Sequence, residues 1–147
     1  MILENDECIC HGDFLTTNIL VDRQAGITPK LTVIDWELTR RGYGATDVSQ
    51  MAAEMYTLQG GKAGAMLRAF LTAYRDVSKP SLHFCKRVAV HFGVQSLYWS
   101  PKGEWRIFDG GSLLQAEFGV EVILKAAKED WEWLRLNTPL QAILPPP

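Results

Sequence analysis

Several things are scarce in this 147-residue chain, and each scarcity argues against a class of protein. Cysteine occurs three times, an odd count, and the first residues, Met1 to Glu7, are acidic rather than basic. A secreted disulfide framework is therefore not expected, and reduced thiols in a cytoplasmic setting are the default. No apolar run approaches the roughly 20 residues that cross a bilayer. Surplus positive charge is missing too: 15 Lys and Arg face 17 Asp and Glu, for a net charge of −2. That balance gives no basis for nucleic acid or an anionic membrane as partner. Internal repeats are absent, and Pro145-Pro146-Pro147 reads as a frayed end. Gly60-Gly61-Lys62 lacks the spacing of a P-loop.

What is present suits one soluble globular domain spanning residues 1–147, with 47% hydrophobic and 22% charged residues. The pattern changes near residue 46. Before it, Glu7 to Cys10, Asn18 to Val21 and Leu31 to Ile34 read as short strands, with turn chemistry at Asp22-Arg23-Gln24-Ala25-Gly26. After it the period is helical. Val48, Met51, Ala52 and Met55 mark one helix, opened by Asp47-Val48-Ser49-Gln50 in the manner of a capping box. Met66 to Tyr74 mark a second, ended by Lys79-Pro80, and Leu82 to Leu97 a third, stopped by Ser100-Pro101-Lys102-Gly103. A fourth is expected from Leu113 or Leu114 to Leu134. The fold class predicted is α+β: a small β-hairpin catalytic segment carrying the motifs over 8–56, a helical subdomain over 57–137, and a tail over 138–147.

The chemistry concentrates early. His11-Gly12-Asp13 is followed by Asn18, and Asp35 and Glu37 close an apolar run in Ile34-Asp35-Trp36-Glu37. Phosphoryl transfer asks mainly for positioning and charge neutralisation. Asp13 can orient an acceptor hydroxyl and take its proton late in the reaction. Asn18 and Asp35 offer the oxygen donors that magnesium prefers, and few are needed because phosphates and water supply the rest. Gly12 permits a tight backbone, and His11 can hold the loop's shape from inside without titrating.

These residues resemble a known family. Cys10-His11-Gly12-Asp13-Phe14-Leu15-Thr16-Thr17-Asn18-Ile19-Leu20-Val21 is similar to the H-G-D-x-x-x-x-N catalytic loop of the aminoglycoside phosphotransferase and choline kinase families, small-molecule relatives of the protein kinases. Val33-Ile34-Asp35-Trp36-Glu37 resembles their I-D-[FW]-E metal-binding segment, and Gly44-Ala45-Thr46-Asp47-Val48 their G-x-x-x-D-[LV] stretch. The resemblance implies a protein-kinase-like C-terminal lobe with Asp13 as catalytic base. It implies Asn18 and Asp35 as magnesium ligands carrying ATP, and Glu37 as an outer or additional one. His11 and Asp47 would support the loop, Asp47 through bonds to its backbone, although a plain helix N-cap also accounts for Asp47. A small-molecule hydroxyl acceptor is implied, without selecting which.

The chain departs from the family where Met1 to Ile9 would have to supply a nucleotide-covering loop, a phosphate-contacting lysine and its glutamate partner. Gly12 also stands where protein kinases carry arginine, which argues against a protein kinase. The expectation is a catalytic lobe with the N-terminal lobe absent, and an apolar face left open to self-association. The alternative is a non-catalytic kinase-like lobe acting as a binding module. Other groupings have plainer readings. Cys8, Cys10, His83 and Cys85 could be drawn as a zinc site, but small buried residues on a strand explain the first pair. The five tryptophans read as core or interface packing rather than an amine-binding cage. His91 reads as a packed helix histidine, and Glu129-Asp130-Glu132 as a solvated helix face.

Overall fold

The computed structural model describes residues 7–24, 28–59, 64–99 and 111–147. The expectations for Met1 to Asp6, Ala25-Gly26, Gly60-Gly61-Lys62, Ser100 to Gly103 and Trp105, and for the side chain of Trp99, fall outside the described residues.

Among the described residues the architecture is α+β, with four short strands followed by five helices. Strand β1 (Glu7–Cys10) pairs antiparallel with β4 (Arg40–Tyr43), placing Cys10 opposite Arg40. Between them in sequence, β2 (Ile19–Asp22) pairs antiparallel with β3 (Lys30–Val33), placing Ile19 opposite Val33. One hairpin is therefore nested inside the other ladder, and this decides where the loops go. The segment leaving β1 for β2 and the segment leaving β3 for β4 both emerge between the two ladders. They carry His11 to Asn18 and Ile34 to Thr39.

Strand β4 was not visible in the sequence. Arg40-Arg41-Gly42-Tyr43 has no apolar alternation, because this strand is held by its ladder and by an Arg41–Glu7 ion pair at 2.5 Å rather than by a buried face. Helix α1 (Gly44–Gln59) follows without a loop. Its Ala45, Val48, Met51, Ala52 and Met55 are buried and begin the core. Leu67 and Leu71 of α2 (Gly64–Ser78), Val88, Ala89 and Phe92 of α3 (Leu82–Trp99), and Val122 and Ala126 of α4 (Gly111–Ala127) extend it. Helices α3 and α4 cross at Gly93 and Gly119. A Cβ on Gly119 would stand 2.6 Å from the Gly93 carbonyl oxygen, and one on Gly93 2.7 Å from that of Gly119.

The expected single helix from Leu113 to Leu134 is two. Glu129 takes a left-handed backbone with φ of 57°, and α5 (Trp131–Asn137) starts anew with Asp130 as its N-cap, accepting from the Trp133 N–H at 3.1 Å. Consequently Glu129-Asp130-Glu132 is not one helix face. Glu129 pairs with Lys86 on α3 at 2.9 Å, and Asp130 with Lys125 at 2.9 Å, a contact that with its N-cap bond lowers the Asp130 pKa. His91 is half-buried, and burial, then the nearby Arg87, lowers its pKa. The stretch read as a tail also packs. Pro139–Ala142 forms a 3₁₀ turn, and Leu140, Ile143 and Leu144 are buried in the core. Arg75 and Arg135 hold it by donating to the carbonyls of Ala142 and Pro145. Trp131 and Trp133 pack against this core, while Ile9, Leu20, Leu31 and Leu38 on the strands and their loops are exposed.

Adding one methyl group at the helix crossing is expected to force α3 and α4 apart. Gly119→Ala should cost about 1–3 kcal/mol, read as a lower urea midpoint. An unchanged midpoint would mean the helices do not approach this closely in solution.

Candidate phosphotransferase site

The first loop begins with a buried histidine whose ring joins two segments. His11 Nε2 lies 2.8 Å from the carbonyl oxygen of Ile34, which can only accept, so Nε2 carries the proton. Its Nδ1 is then the acceptor for the Asp13 backbone N–H at 3.3 Å. The neutral ring thus spans both loops, packed against Trp36 with centroids 4.6 Å apart. Gly12 is required here. Its φ is +88°, and a Cβ would collide with the Leu38 carbonyl and the Arg40 guanidinium.

Helix α1 holds the loop from the other side. Asp47 accepts from the backbone N–H groups of His11 at 2.7 Å and Gly12 at 3.0 Å. One turn on, Gln50 donates through Nε2 to Asp13 Oδ1 at 2.9 Å. Another turn on, buried Glu54 accepts from the Thr16 N–H at 2.6 Å and the Thr16 hydroxyl at 3.0 Å. Residues 47, 50 and 54 lie on one helix stripe, so three side chains secure successive parts of one loop. Asp47 lies inside the first turn of a helix that opens at Gly44, and its carboxylate serves the loop.

Asn18 is buried. Its Nδ2 donates to the Asp13 carbonyl at 2.9 Å and lies 3.4 Å from Asp13 Oδ2, while its backbone carbonyl accepts from the Ile34 N–H at 3.0 Å. The carboxamide oxygen has no hydrogen-bond partner among the described residues and is not sealed from solvent. Asp35 follows Ile34 in the left-handed region, φ 65° and ψ 54°. Its carboxylate is exposed and makes no hydrogen bond or ion pair among the described residues. Glu37, on the 3₁₀ turn Trp36–Leu38, is likewise exposed and unpaired among them. The structure therefore ties Asp13, Asn18, His11 and Asp47 together by hydrogen bonds. Asp35 joins them through the backbone of Ile34, and no hydrogen bond or ion pair among the described residues ties Glu37 to the others.

No three His, Cys, Asp or Glu side chains among the described residues form a metal cage. Cys8 and Cys10 lie 3.8 Å apart, but Cys85 donates elsewhere, to the Ile143 carbonyl at 3.1 Å. Burial, with the neighbouring Cys8 thiol, pushes the Cys10 pKa up to about 12, so it remains a neutral thiol beneath the loop.

Comparison with known proteins decides the family. The profile of the Phosphotransferase enzyme family matches residues 3–85, which include both loops, all four strands and α1. The chain belongs to this family. A 4-hydroxytryptamine kinase from Psilocybe cubensis is 25% identical over 111 residues, covering 71% of this chain and 30% of that protein. The chain thus spans less than a third of that relative's length. No solved structure matches it. The matched family is described as one of phosphotransferase enzymes, and that relative is named as a kinase.

Gln50, Glu54 and Thr16 were not singled out as site residues in the sequence. Their signal was the polar stripe at 47, 50 and 54, which ordinarily reads as a solvated face. Asp47→Ala would leave the His11 and Gly12 N–H groups without their acceptor, and is expected to cost about 1–3 kcal/mol in chemical denaturation. A cost below about 0.5 kcal/mol, the size of an ordinary surface change, would argue against the tie.

Proposed function

We propose that the chain transfers the γ-phosphate of ATP to a hydroxyl of a small molecule, with Asp13 as the proton acceptor. The observation carrying this reading is the anchored Asp13: its carboxylate is held between Gln50 and Asn18 at the mouth of a loop whose neighbour presents Asp35. As the acceptor oxygen bonds to the γ-phosphorus, the bond from phosphorus to the β,γ-bridging oxygen breaks and ADP departs. The hydroxyl proton passes to Asp13.

The donor set fits magnesium. The Asn18 amide oxygen and the Asp35 carboxylate have no partner among the described residues, two hard donors that would leave positions for phosphate oxygens and water. When bound with the nucleotide, magnesium would neutralise phosphate charge. Glu37, on the turn that Asp35 caps, is a further carboxylate, and an outer role would use it. His11 and Asp47 keep the loop's backbone in place.

Asp13→Ala should abolish ADP release with acceptor while nucleotide affinity changes by less than about threefold, since the side chain acts in the transition state rather than in binding. Asn18→Ala and Asp35→Ala should raise the magnesium concentration needed for half-maximal turnover. Retained turnover in Asp13→Ala would remove that residue from the mechanism. A second reading is a non-catalytic kinase-like module. It predicts no ADP release from the chain above a no-protein control.

A further inference from the structure

We infer that Gln50 is a positioning residue for phosphoryl transfer, setting which oxygen of Asp13 receives the acceptor's proton. The inference rests on the reading of Asp13 as proton acceptor.

Asp13 follows a glycine, and within its own loop only the long contact from Asn18 Nδ2 to Oδ2, at 3.4 Å, reaches its carboxylate among the described residues. Asn18 contributes little to the rotation of that carboxylate. Its good bond, at 2.9 Å, goes to the Asp13 backbone carbonyl, and its distance of 3.4 Å to Oδ2 is at the weak end for a hydrogen bond. Gln50 Nε2, at 2.9 Å from Oδ1, makes the short bond to the carboxylate among the described residues. Gln50 comes from a helix rather than a loop, one turn after Asp47 and one turn before Glu54, both of which already hold the same loop. Its carboxamide therefore starts from a backbone in fixed register with Asp13.

An ionised carboxylate has acceptor sites only, so the end of the carboxamide facing it must be the N–H₂. With Oδ1 taken by that short bond and Oδ2 met only by the longer one from Asn18, an incoming hydroxyl is directed to Oδ2. The nearest metal-donor candidate is thus next to the oxygen left open. A hydroxyl directed to Oδ2 is placed beside the phosphate-binding side of the site rather than toward α1.

Turnover in the full chain can be read without an identified acceptor, as ADP release from magnesium-ATP with water as acceptor. Gln50→Leu is expected to lower kcat about 10–100-fold with KM for ATP within about threefold, the effect of a misplaced reacting group. Gln50→Glu keeps the volume but cannot donate when ionised, so it should lose turnover as well, whereas a packing role would tolerate it. Wild-type kcat in Gln50→Glu would overturn the inference. The side-chain amide resonances of Gln50 in NMR spectra give a readout independent of activity. They should move in Asp13→Ala, and unmoved resonances would sink the pairing. Full turnover in Asp13→Asn would instead sink the reading of Asp13 itself.

Discussion

The site depends on a polar stripe of one helix gripping the loop that carries Asp13. Asp47, Gln50 and Glu54 recur over two turns of α1, a rise of about 10 Å, and meet the loop at His11 and Gly12, at Asp13 and at Thr16 in turn. Carboxylates out of solvent are costly unless hydrogen-bonded. Here Asp47 is compensated by two backbone N–H groups and Glu54 by the N–H and hydroxyl of Thr16, so the cost of burial is offset by the bonds that order the loop. The opposite stripe of α1, from Ala45 to Met55, anchors the helix in the apolar core. Core packing is in this way transmitted to the position of one carboxylate.

The nested strand pairing supplies the second half of the arrangement. Pairing β1 with β4 and β2 with β3 leaves two loops opening between the ladders. His11 then bridges them by donating to Ile34, and the Asn18 carbonyl accepts from the Ile34 N–H. Two left-handed backbone positions, Gly12 and Asp35, mark where the chain turns sharply enough to place polar side chains beside each other. At Gly12 only glycine fits. At Asp35 the same conformation is taken by a residue type that tolerates it more readily than most.

Much of the fold could be read along the chain because periodicity reports burial. The apolar spacing in α1, α2 and α3 and the β-branched run in β3 lead to the elements observed. Failures came where another force decided. Strand β4 has no buried face to leave a pattern, and exists because β1 needs a partner. The break between α4 and α5 comes from a capping aspartate and a left-handed Glu129 inside an otherwise helical pattern. The stretch after Asn137 looked like a tail because prolines interrupt it, yet Leu140, Ile143 and Leu144 fill the core against α2 and α3.

The sequence by itself determined which chemical groups are available and in what order: a histidine, a glycine, a carboxylate, an amide and a second carboxylate. Residue type and spacing are local properties, so they survive without coordinates. Only the tertiary structure decided what each group is bonded to. The direction of the Asp13 carboxylate, the tautomer of His11 and the use of Gln50 and Glu54 all arise from contacts between residues more than twenty positions apart. No local pattern encodes such contacts, since a polar stripe on a helix looks the same whether it faces water or a loop.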